Sequence, residues 1–181
     1  MIAMYPITSH DIFAYIFRSH IFVDLHHNPF LVPPASFPAE SLYPFLDFPM
    51  EPMPHGPVWV LIAALPTLVA GVAWPASLIA FKLVAWVGYA TTVALVYTLL
   101  RRIAPGAATA GTLLFAWNPL ILFELVGNGH NDGLMAALAL GAFVALVGRR
   151  TLLAAVLMAM AVLLKFGVLL LAPIVSIWLW R

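Results

Sequence analysis

The most constraining feature of this sequence is an apolar stretch over residues 77–100, which ends at the basic pair Arg101 and Arg102. At about 1.5 Å per residue, a helix of this length crosses a hydrocarbon core of about 30 Å. The rest of the chain has the same character, because 64% of all residues are hydrophobic and 8% are charged. Soluble globular domains have about a quarter of their residues charged. The sequence therefore predicts an integral membrane protein made of α-helices.

Proline and short polar turns divide the other apolar sequence into pieces, several of them short for a full membrane crossing. The first piece, 57–73, is interrupted by Pro66, and Trp74 with Pro75 predicts a turn. Short and broken helices are typical of membrane proteins that bring polar groups to a buried site. The later pieces are 107–126, which is broken at Asn118 and Pro119, then 133–147, 152–164, and 168–180, which contains Pro173.

The predicted fold class is all-α, a polytopic transmembrane helical bundle. Residues 1–56 are rich in proline and hold most of the acids of the chain, which indicates an outer, extracytoplasmic or interfacial loop containing an amphipathic helix. Residues 57–181 are predicted to form the transmembrane region, with about five to six apolar helices.

The helix predicted in the amino-terminal loop covers about residues 11–24. At about 100° per residue, Asp11, Tyr15 and Arg18 fall on one face, while His20 points to the opposite side. Such a helix is expected to lie on the membrane, with the carboxylate, phenol and guanidinium facing water or a cavity. An alternative is that Thr8 and Asp11 form a capping box and that Arg18 is solvated or contacts lipid headgroups.

The basic residues predict the orientation of the spans. If Arg101–Arg102, the pair at 149–150 and Arg181 are cytoplasmic, residues 128–132 and Lys165 lie on the outer side. Two full spans between Gly56 and Arg101 would put residues 1–56 inside as well. Either 57–73 therefore does not cross fully, which is the interpretation we favour, or one basic pair lies outside. Lys82, about a turn and a half inside its helix, is expected to snorkel to the interface.

The polar residues 128–132, Asn-Gly-His-Asn-Asp, are the strongest indication of a site. In hydrocarbon each of these groups must find a partner or face an aqueous cavity. A structural role is also open, because Asn131 or Asp132 suits the N-cap position of the helix that follows.

Two further ionisable residues stand in apolar surroundings. A lysine in mid-membrane costs about 2.5–3.5 kcal/mol on insertion scales unless it reaches an interface or a partner. Lys165 therefore indicates a site, although a lysine in a short loop between two helices is an equally open interpretation. Glu124 is expected to pair with Arg18 or Lys82, or to be a buried protonated acid.

Four stretches, in this order, give the chain a resemblance to a known family. They are Asp-Ile-Phe-Ala-Tyr at 11–15 with Asn-Pro-Phe-Leu-Val-Pro-Pro at 28–34, His-Gly-Pro-Val-Trp at 55–59, Asn-Pro at 118–119 with Gly-Asn-Gly-His-Asn-Asp at 127–132, and Lys165 followed by Pro173. Together they resemble the type C glycosyltransferases (GT-C), specifically bacterial polyprenyl-phosphate-dependent mannosyltransferase-like proteins. The likeness covers nearly the whole chain.

The sequence departs from that family in two ways. Phe30 and His55 stand where the family usually has tyrosine. The family's members are also much longer, with a transmembrane helix before the acidic loop and several more after the last helix here. The chain therefore resembles the amino-terminal half of such an enzyme without its first helix.

The resemblance implies transfer of a hexose, in the first place mannose, from a polyprenyl-phosphate donor to an acceptor hydroxyl on the outer face of the membrane, with inversion. Asp11 would be the catalytic residue that takes the proton of the attacking hydroxyl. Arg18 and Lys165 would bind the donor phosphate and stabilise its developing charge. The residues expected to bind substrate are Tyr15, Asn28, His130, Asn131 and Asp132.

The implied partners are a lipid-linked sugar donor, a glycan or lipid acceptor and membrane lipids, with a partner chain that completes the helical bundle as a further expectation. No nucleic-acid footprint is present and no cofactor is predicted. His130 and Asp132 alone are too few ligands to predict a metal site. The predicted location is the bacterial plasma membrane, as a multi-pass protein.

Two other functions stay open on the residues alone. The chain would be a non-catalytic membrane subunit or a transporter-like fragment if Glu124, Asp132 and Lys165 formed an intramembrane polar network. Asp11 argues against this, because a transporter has little use for an acid on an outer amphipathic loop. The third interpretation is a fragment without activity.

Overall fold

The computed structural model describes residues 4–171, and all regular structure within that range is helical, which confirms the all-α prediction there. The α-helices are α1 (Asp11–Val23), α2 (Pro57–Ala70), α3 (Trp74–Ile103), α4 (Ala108–Ala116), α5 (Pro119–Ile121), α6 (Asp132–Val147) and α7 (Thr151–Leu164). Leu122–Gly127 is π-helical, and short 3₁₀ turns cover Pro34–Ser36, Tyr43–Phe45, Pro105–Ala107 and Phe166–Leu171.

Helix α3 contains the whole of the predicted span over residues 77–100. The predicted turn at Trp74 and Pro75 is wrong, because both residues belong to the first turn of α3, where a missing N–H costs no hydrogen bond. Between residues 4 and 171, α3 is the one helix that is by itself long and apolar enough to cross a membrane. Pro105–Ala116 and Pro119–Gly127 qualify as a second crossing only if the bent pair is counted as one span.

Helix α2 is continuous, so the predicted interruption at Pro66 is wrong. Pro66 cannot donate to the carbonyl one turn earlier. Beside this gap, the Thr67 hydroxyl donates to the Ala63 carbonyl at 3.1 Å and lies 2.8 Å from the Ser19 hydroxyl of α1. These bonds hold the helix turn together and attach α2 to α1. With 14 residues, α2 is short for a full crossing.

Helix α1 has nearly the predicted bounds but not the predicted surroundings. It is enclosed in the protein instead of lying on a membrane surface, since α2 and α3 pack on one side and the loop of residues 24–56 covers the other. The loop supplies Leu42, Tyr43 and Leu46 to this core. Five apolar side chains of α1 are consequently at most 1% exposed: Ile12, Phe13, Ile16, Phe17 and Ile21.

The predicted break at Asn118 and Pro119 is confirmed. The Asn118 carboxamide oxygen accepts hydrogen bonds from the N–H groups of Leu120 at 3.0 Å and Ile121 at 3.4 Å. Asn118 is therefore an N-cap, and Pro119 takes the first helical position, where it is well tolerated. The segments on either side are bent by 48°. The π-helical turn that follows leads into residues 128–132.

Helix α6 lies close against α3 because small residues meet at the crossing. A Cβ atom at Gly88 would lie 2.8 Å from the Leu134 backbone nitrogen. At the same crossing the Thr92 hydroxyl donates to the Gly133 carbonyl at 2.9 Å. The helices thus pack backbone to backbone, as helices with small residues at their interface do.

Helices α6 and α7 confirm the predicted helices over 133–147 and 152–164. The chain leaves helical geometry at Lys165, as predicted, and continues as a 3₁₀ turn over Phe166–Leu171. The rest of the predicted helix 168–180, including Pro173, lies outside the described residues.

Candidate functional site

Distant parts of the sequence converge at one end of the molecule, where the start of α1, His55, residues 128–132 and Lys165 meet. Gly56 makes one of the links, because its N–H donates to the Leu164 carbonyl at 3.0 Å and so joins the start of α2 to the end of α7. A Cβ atom at Gly56 would lie only 1.9 Å from the Leu163 carbonyl oxygen. The close approach that makes His55 and Lys165 neighbours therefore requires glycine.

Asn128 makes the second link and is fully buried. Its side-chain oxygen accepts from the Ile7 N–H at 3.2 Å, while its amide nitrogen contacts the Thr8 hydroxyl and donates to Glu124 at 2.9 Å. Asn128 thus fastens the segment before α1 to the π-helical turn. This places Asp11, the first residue of α1, beside the polar turn 128–132.

These contacts correct two expectations. The predicted capping box is wrong, because the Thr8 hydroxyl bonds Glu124 at 3.3 Å and Asn128, and the N-cap of α1 is His10, whose side chain makes no capping bond. The predicted pairing of Glu124 with Arg18 or Lys82 is also wrong. The Glu124 carboxylate is partly exposed, bonds to Thr8 and Asn128, and lies 3.7 Å from the His130 ring.

Lys165, Asp132 and His130 form a connected ionic group. The Lys165 ammonium donates to both carboxylate oxygens of Asp132, each at 2.8 Å, and Nδ1 of His130 lies 3.6 Å from the same carboxylate. The interaction with Asp132 raises the pKa of His130, and the charges of Asp11 and Glu124 act in the same direction. The side chains of Lys165 and Asp132 are about one-third exposed.

A cavity of about 140 Å³ lies at the same end of the molecule. It is lined by Asp11, Tyr15, Arg18 and His55 together with the loop at Asp47. The three residues from α1 share one face, as predicted. Arg18 is 5% exposed, and its guanidinium donates to the carbonyl groups of Phe48 at 3.2 Å and Glu51 at 3.0 Å. The alternative of a solvated or headgroup-bound Arg18 is wrong, because the loop covers this side chain.

Four side chains beside this cavity and the polar turn form what we call the polar cluster: Tyr15, His55, Trp59 and Asn131. Its buried side-chain atoms without a hydrogen-bond partner among the described residues are His55 Nδ1, the indole nitrogen and both amide atoms of Asn131, and the Tyr15 phenol oxygen is near only the Asn131 backbone N–H. The Tyr15 ring centre is 5.3 Å from His55 and 5.0 Å from Trp59. A buried polar atom without a partner costs about 1–3 kcal/mol. The cluster therefore suits a polar ligand or ordered water.

Burial and nearby charges shift the pKa values of His55 and Tyr15 in the polar cluster. Burial lowers the pKa of His55 to about 4, and the positive charges of Lys165 and Arg18 contribute. Burial also raises the pKa of Tyr15, with further contributions from the negative charges of Asp11 and Asp132. At neutral pH the imidazole of His55 is thus uncharged and able to accept or donate a hydrogen bond.

The structure shows how far Asn131 and Asp132 act as caps of α6. Asn131 occupies the N-cap position of α6, but its side chain makes no capping hydrogen bond. The Asp132 carboxylate lies in the first turn, where negative charge is favourable, yet both of its oxygens bind Lys165.

Lys82 does not snorkel to an interface, and that expectation is wrong. Its side chain is fully buried, and its ammonium donates to the carbonyl of Met4. The segment before α1 runs back against α3 and supplies this acceptor, so the charge is satisfied inside the protein.

Asn28 is the one predicted site residue that lies apart from the others. It follows the far end of α1, where its side-chain oxygen accepts from the Phe30 N–H at 3.0 Å and forms a turn. His55 and Trp59 join the site although they were not predicted as site residues; their signal was the His-Gly-Pro-Val-Trp stretch. No pattern indicated the contact between Thr8 and Asn128, which are 120 positions apart.

Metal binding has no support in the part of the chain that the structure covers. Between residues 4 and 171, no three histidine, cysteine, aspartate or glutamate side chains are grouped so that they could hold a metal ion.

Comparison with known proteins adds a second line of information. A family model described as "Alpha-(1->6)-mannopyranosyltransferase, N-terminal domain" matches residues 1–181. Two curated relatives, from Corynebacterium glutamicum and Mycobacterium tuberculosis, are each named Alpha-(1->6)-mannopyranosyltransferase A and are 25% identical to this chain. The alignments cover 96% and 97% of this chain but 35% and 34% of the relatives, so the chain spans about a third of their length. No solved structure matches significantly.

Proposed function

The chain belongs to the alpha-(1->6)-mannopyranosyltransferase family, through its N-terminal domain, and on this premise we propose that it acts in a membrane mannosyltransferase. The resemblance to mannosyltransferases in its motifs is thereby confirmed. The proposed donor is polyprenyl-phosphate mannose, and the proposed acceptor is a hydroxyl group of a glycan or lipid on the outer face. We further propose a multi-pass bundle in the plasma membrane, with α3 as one of its spans.

One observation supports the proposal: the Asp11 carboxylate lines a polar cavity, and the Lys165 ammonium belongs to the ionic group at the same end of the molecule. In the ionic group, Lys165 binds the Asp132 carboxylate, which lies 3.6 Å from His130. Sugar transfer from a lipid phosphate needs one group that accepts a proton and another that stabilises the negative charge on the departing phosphate. The site has both types of group, each partly accessible.

In the proposed reaction, the oxygen of the acceptor hydroxyl attacks the anomeric carbon, and Asp11 accepts the proton of that hydroxyl. The bond between that carbon and the phosphate oxygen breaks on the opposite face, which inverts the configuration. Lys165 then shares its ammonium between Asp132 and the departing lipid phosphate. His130 adds a positive charge when protonated, and its raised pKa favours that form. The predicted contact of Arg18 with the donor phosphate stays a prediction, since its guanidinium already binds two loop carbonyls.

The polar cluster is the proposed place for sugar hydroxyl groups. Its imidazole, indole and carboxamide offer donors and acceptors that have no partner within the described chain, and the phenol adds a hydroxyl group. Hydroxyl groups of a sugar would satisfy them, and aromatic rings suit the apolar face of a sugar ring. Binding there would bring a sugar next to Asp11 and Lys165.

A second candidate function is a non-catalytic membrane subunit. The bidentate pair of Lys165 with Asp132, joined to His130 and Glu124, favours it, because a closed network of this kind also stabilises structure without a substrate. The two functions differ in what they require of Asp11, which is outside this ionic network but lines the cavity.

The test is mannose transfer in membranes that carry the chain, supplied with radiolabelled polyprenyl-phosphate mannose and an α-mannoside acceptor. We expect Asp11→Asn to reduce transfer about 10²–10⁴-fold, the usual contribution of a general base. Asp24→Asn is the matched control, because Asp24 follows the other end of the same helix, where it bonds to His20 at 2.6 Å. The control should transfer mannose at the rate of the unsubstituted chain. Equal transfer by the Asp11 variant, or no transfer by the unsubstituted chain, would contradict the proposal and favour the non-catalytic subunit.

A further inference from the structure

A second cavity lies at the end of the molecule opposite the candidate site, where α3, α6 and α7 meet. Its volume is about 360 Å³, and its walls are largely apolar, formed by Leu95 of α3, Ala145 of α6 and Leu157 of α7. Glycine in α6 and directly after it leaves the space open. A Cβ atom at Gly141 would lie 3.3 Å from Leu157, and one at Gly148 would lie 3.2 Å from the Arg102 guanidinium.

Two arginines, Arg102 and Arg150, line the same cavity. Arg102 is held in position because its guanidinium donates to the Val144 carbonyl at 3.0 Å. Their sequence neighbours, Arg101 and Arg149, do not line the cavity. The sequence has no acid at positions 52–123 or 133–181, so the helices around the cavity bring four arginines to this end without an acidic residue to balance them.

We propose that this cavity binds one anionic phospholipid, with the headgroup phosphate at Arg102 and Arg150 and an acyl chain along the apolar wall. Arginine binds phosphate in a forked geometry, and basic pockets between membrane helices are suited to anionic headgroups. Leu95 lies about 10 Å from Arg102 along α3, which gives the wall enough depth for the first part of an acyl chain. A free phosphate ion would use the arginines but leave the apolar wall uncovered, so the combination favours a lipid.

This site is independent of sugar transfer, and its test uses lipid binding as the readout. The chain is purified in a neutral detergent and titrated with phosphatidylglycerol, and bound lipid is counted by native mass spectrometry. One double variant carries Arg102→Gln and Arg150→Gln. The matched control carries Arg101→Gln and Arg149→Gln, which removes the same charge from the same end but outside the cavity.

We expect the cavity variant to bind phosphatidylglycerol about tenfold more weakly or worse, and the control less than about threefold more weakly. Equal weakening in both would show that surface charge alone attracts the lipid, which would overturn the cavity site. Equally tight binding of phosphatidylcholine, or of glycerol phosphate without acyl chains, would also overturn it. If the double variant does not fold, Arg150→Gln alone keeps the contact of Arg102 with Val144 and should still weaken binding more than Arg149→Gln does.

Discussion

Three cationic side chains near the site differ in what their charges do. Arg18 and Lys82 are buried, and both donate to backbone carbonyl groups in the irregular segments that flank α1. Their charges therefore hold those segments in place. Lys165 binds a carboxylate instead and is about one-third exposed. Of the three, it is the one whose charge is accessible to a ligand phosphate.

His55 leads to a prediction about pH and stability. Its pKa falls from the usual 6.5 to about 4 in the folded protein, because of burial and the nearby positive charges. The unfolded chain then takes up this proton at a higher pH than the folded chain, so stability falls as the pH drops from about 6.5 to about 4. Well above pH 6.5, where the residue is uncharged in both states, it contributes no pH dependence. We expect His55→Asn to reduce the loss of stability between about pH 6.5 and about pH 4.

The measurement is the unfolding temperature in detergent at pH 7.5 and at pH 4.5. His26→Asn is the control, because His26 is exposed on the loop after α1 and its positive φ of 56° suits asparagine. The unsubstituted chain and the control should lose more stability between the two pH values than the His55 variant does. The same loss in all three would show that His55 is not the titrating group.

At the scale of elements, helix ends build the site. Asp11 starts α1, His55 and Gly56 precede α2, Asp132 starts α6, and Lys165 follows α7. Helix amino termini carry partial positive charge, so three of these ends favour an acidic group nearby. The π-helical turn before residues 128–132 adds an irregular segment of a type that is frequent at functional sites.

The meeting of these helix ends at the site depends on the contact between α2 and α7, and Gly56→Ala tests that contact. The new methyl group would overlap the Leu163 carbonyl and break the bond from Gly56 to Leu164. We expect a loss of about 1–3 kcal/mol or more, measured by thermal unfolding in detergent, together with weaker mannose transfer. Gly106→Ala is the control, because nothing lies within 4 Å of a Cβ atom there. Equal unfolding temperatures for the two variants would mean that α2 and α7 do not meet as described.

At the scale of the whole molecule, the two ends carry different charged groups. The ionic group of the site lies at one end, whereas Arg101, Arg102, Arg149 and Arg150 lie at the other. In membrane proteins basic residues favour the cytoplasmic side, so this division supports the proposal that the site faces outward. It also places the candidate sugar site and the candidate lipid site at opposite ends.

The sequence predicted the parts of this fold that depend on local signals. The long apolar stretch predicted α3, and the Asn-Pro pair predicted the break after α4. The polar residues 128–132 predicted the start of α6, and Lys165 predicted the end of α7. Predictions failed where a distant segment decides the outcome. Pro66 stays inside a helix where the next residue, Thr67, contacts Ser19 of α1, and Lys82 is buried because the segment before α1 supplies a carbonyl.

The same distinction applies to the site. Asp11, His130, Asp132 and Lys165 are polar residues in apolar or motif-bearing surroundings. The structure joins His130, Asp132 and Lys165 and places Asp11 at the same end of the molecule, while their roles in a site stay predictions. The bonds of Asn128 that position Asp11 depend on a contact across 120 residues, which no local pattern contains. His55 lay in a recognised stretch, but its role depends on the approach of α7 to α2.

The most direct test is whether the segment before α1 closes on the polar turn. The chain has no cysteine, so Thr8→Cys with Asn128→Cys introduces a single possible disulfide. Mild oxidation in membranes should join this pair within one chain, whereas Thr8→Cys with Thr151→Cys, about 20 Å further along α7 from Lys165, should stay reduced. A failure of the first pair to join, or equal joining of both pairs, would contradict a site built from the start of α1 and the polar turn.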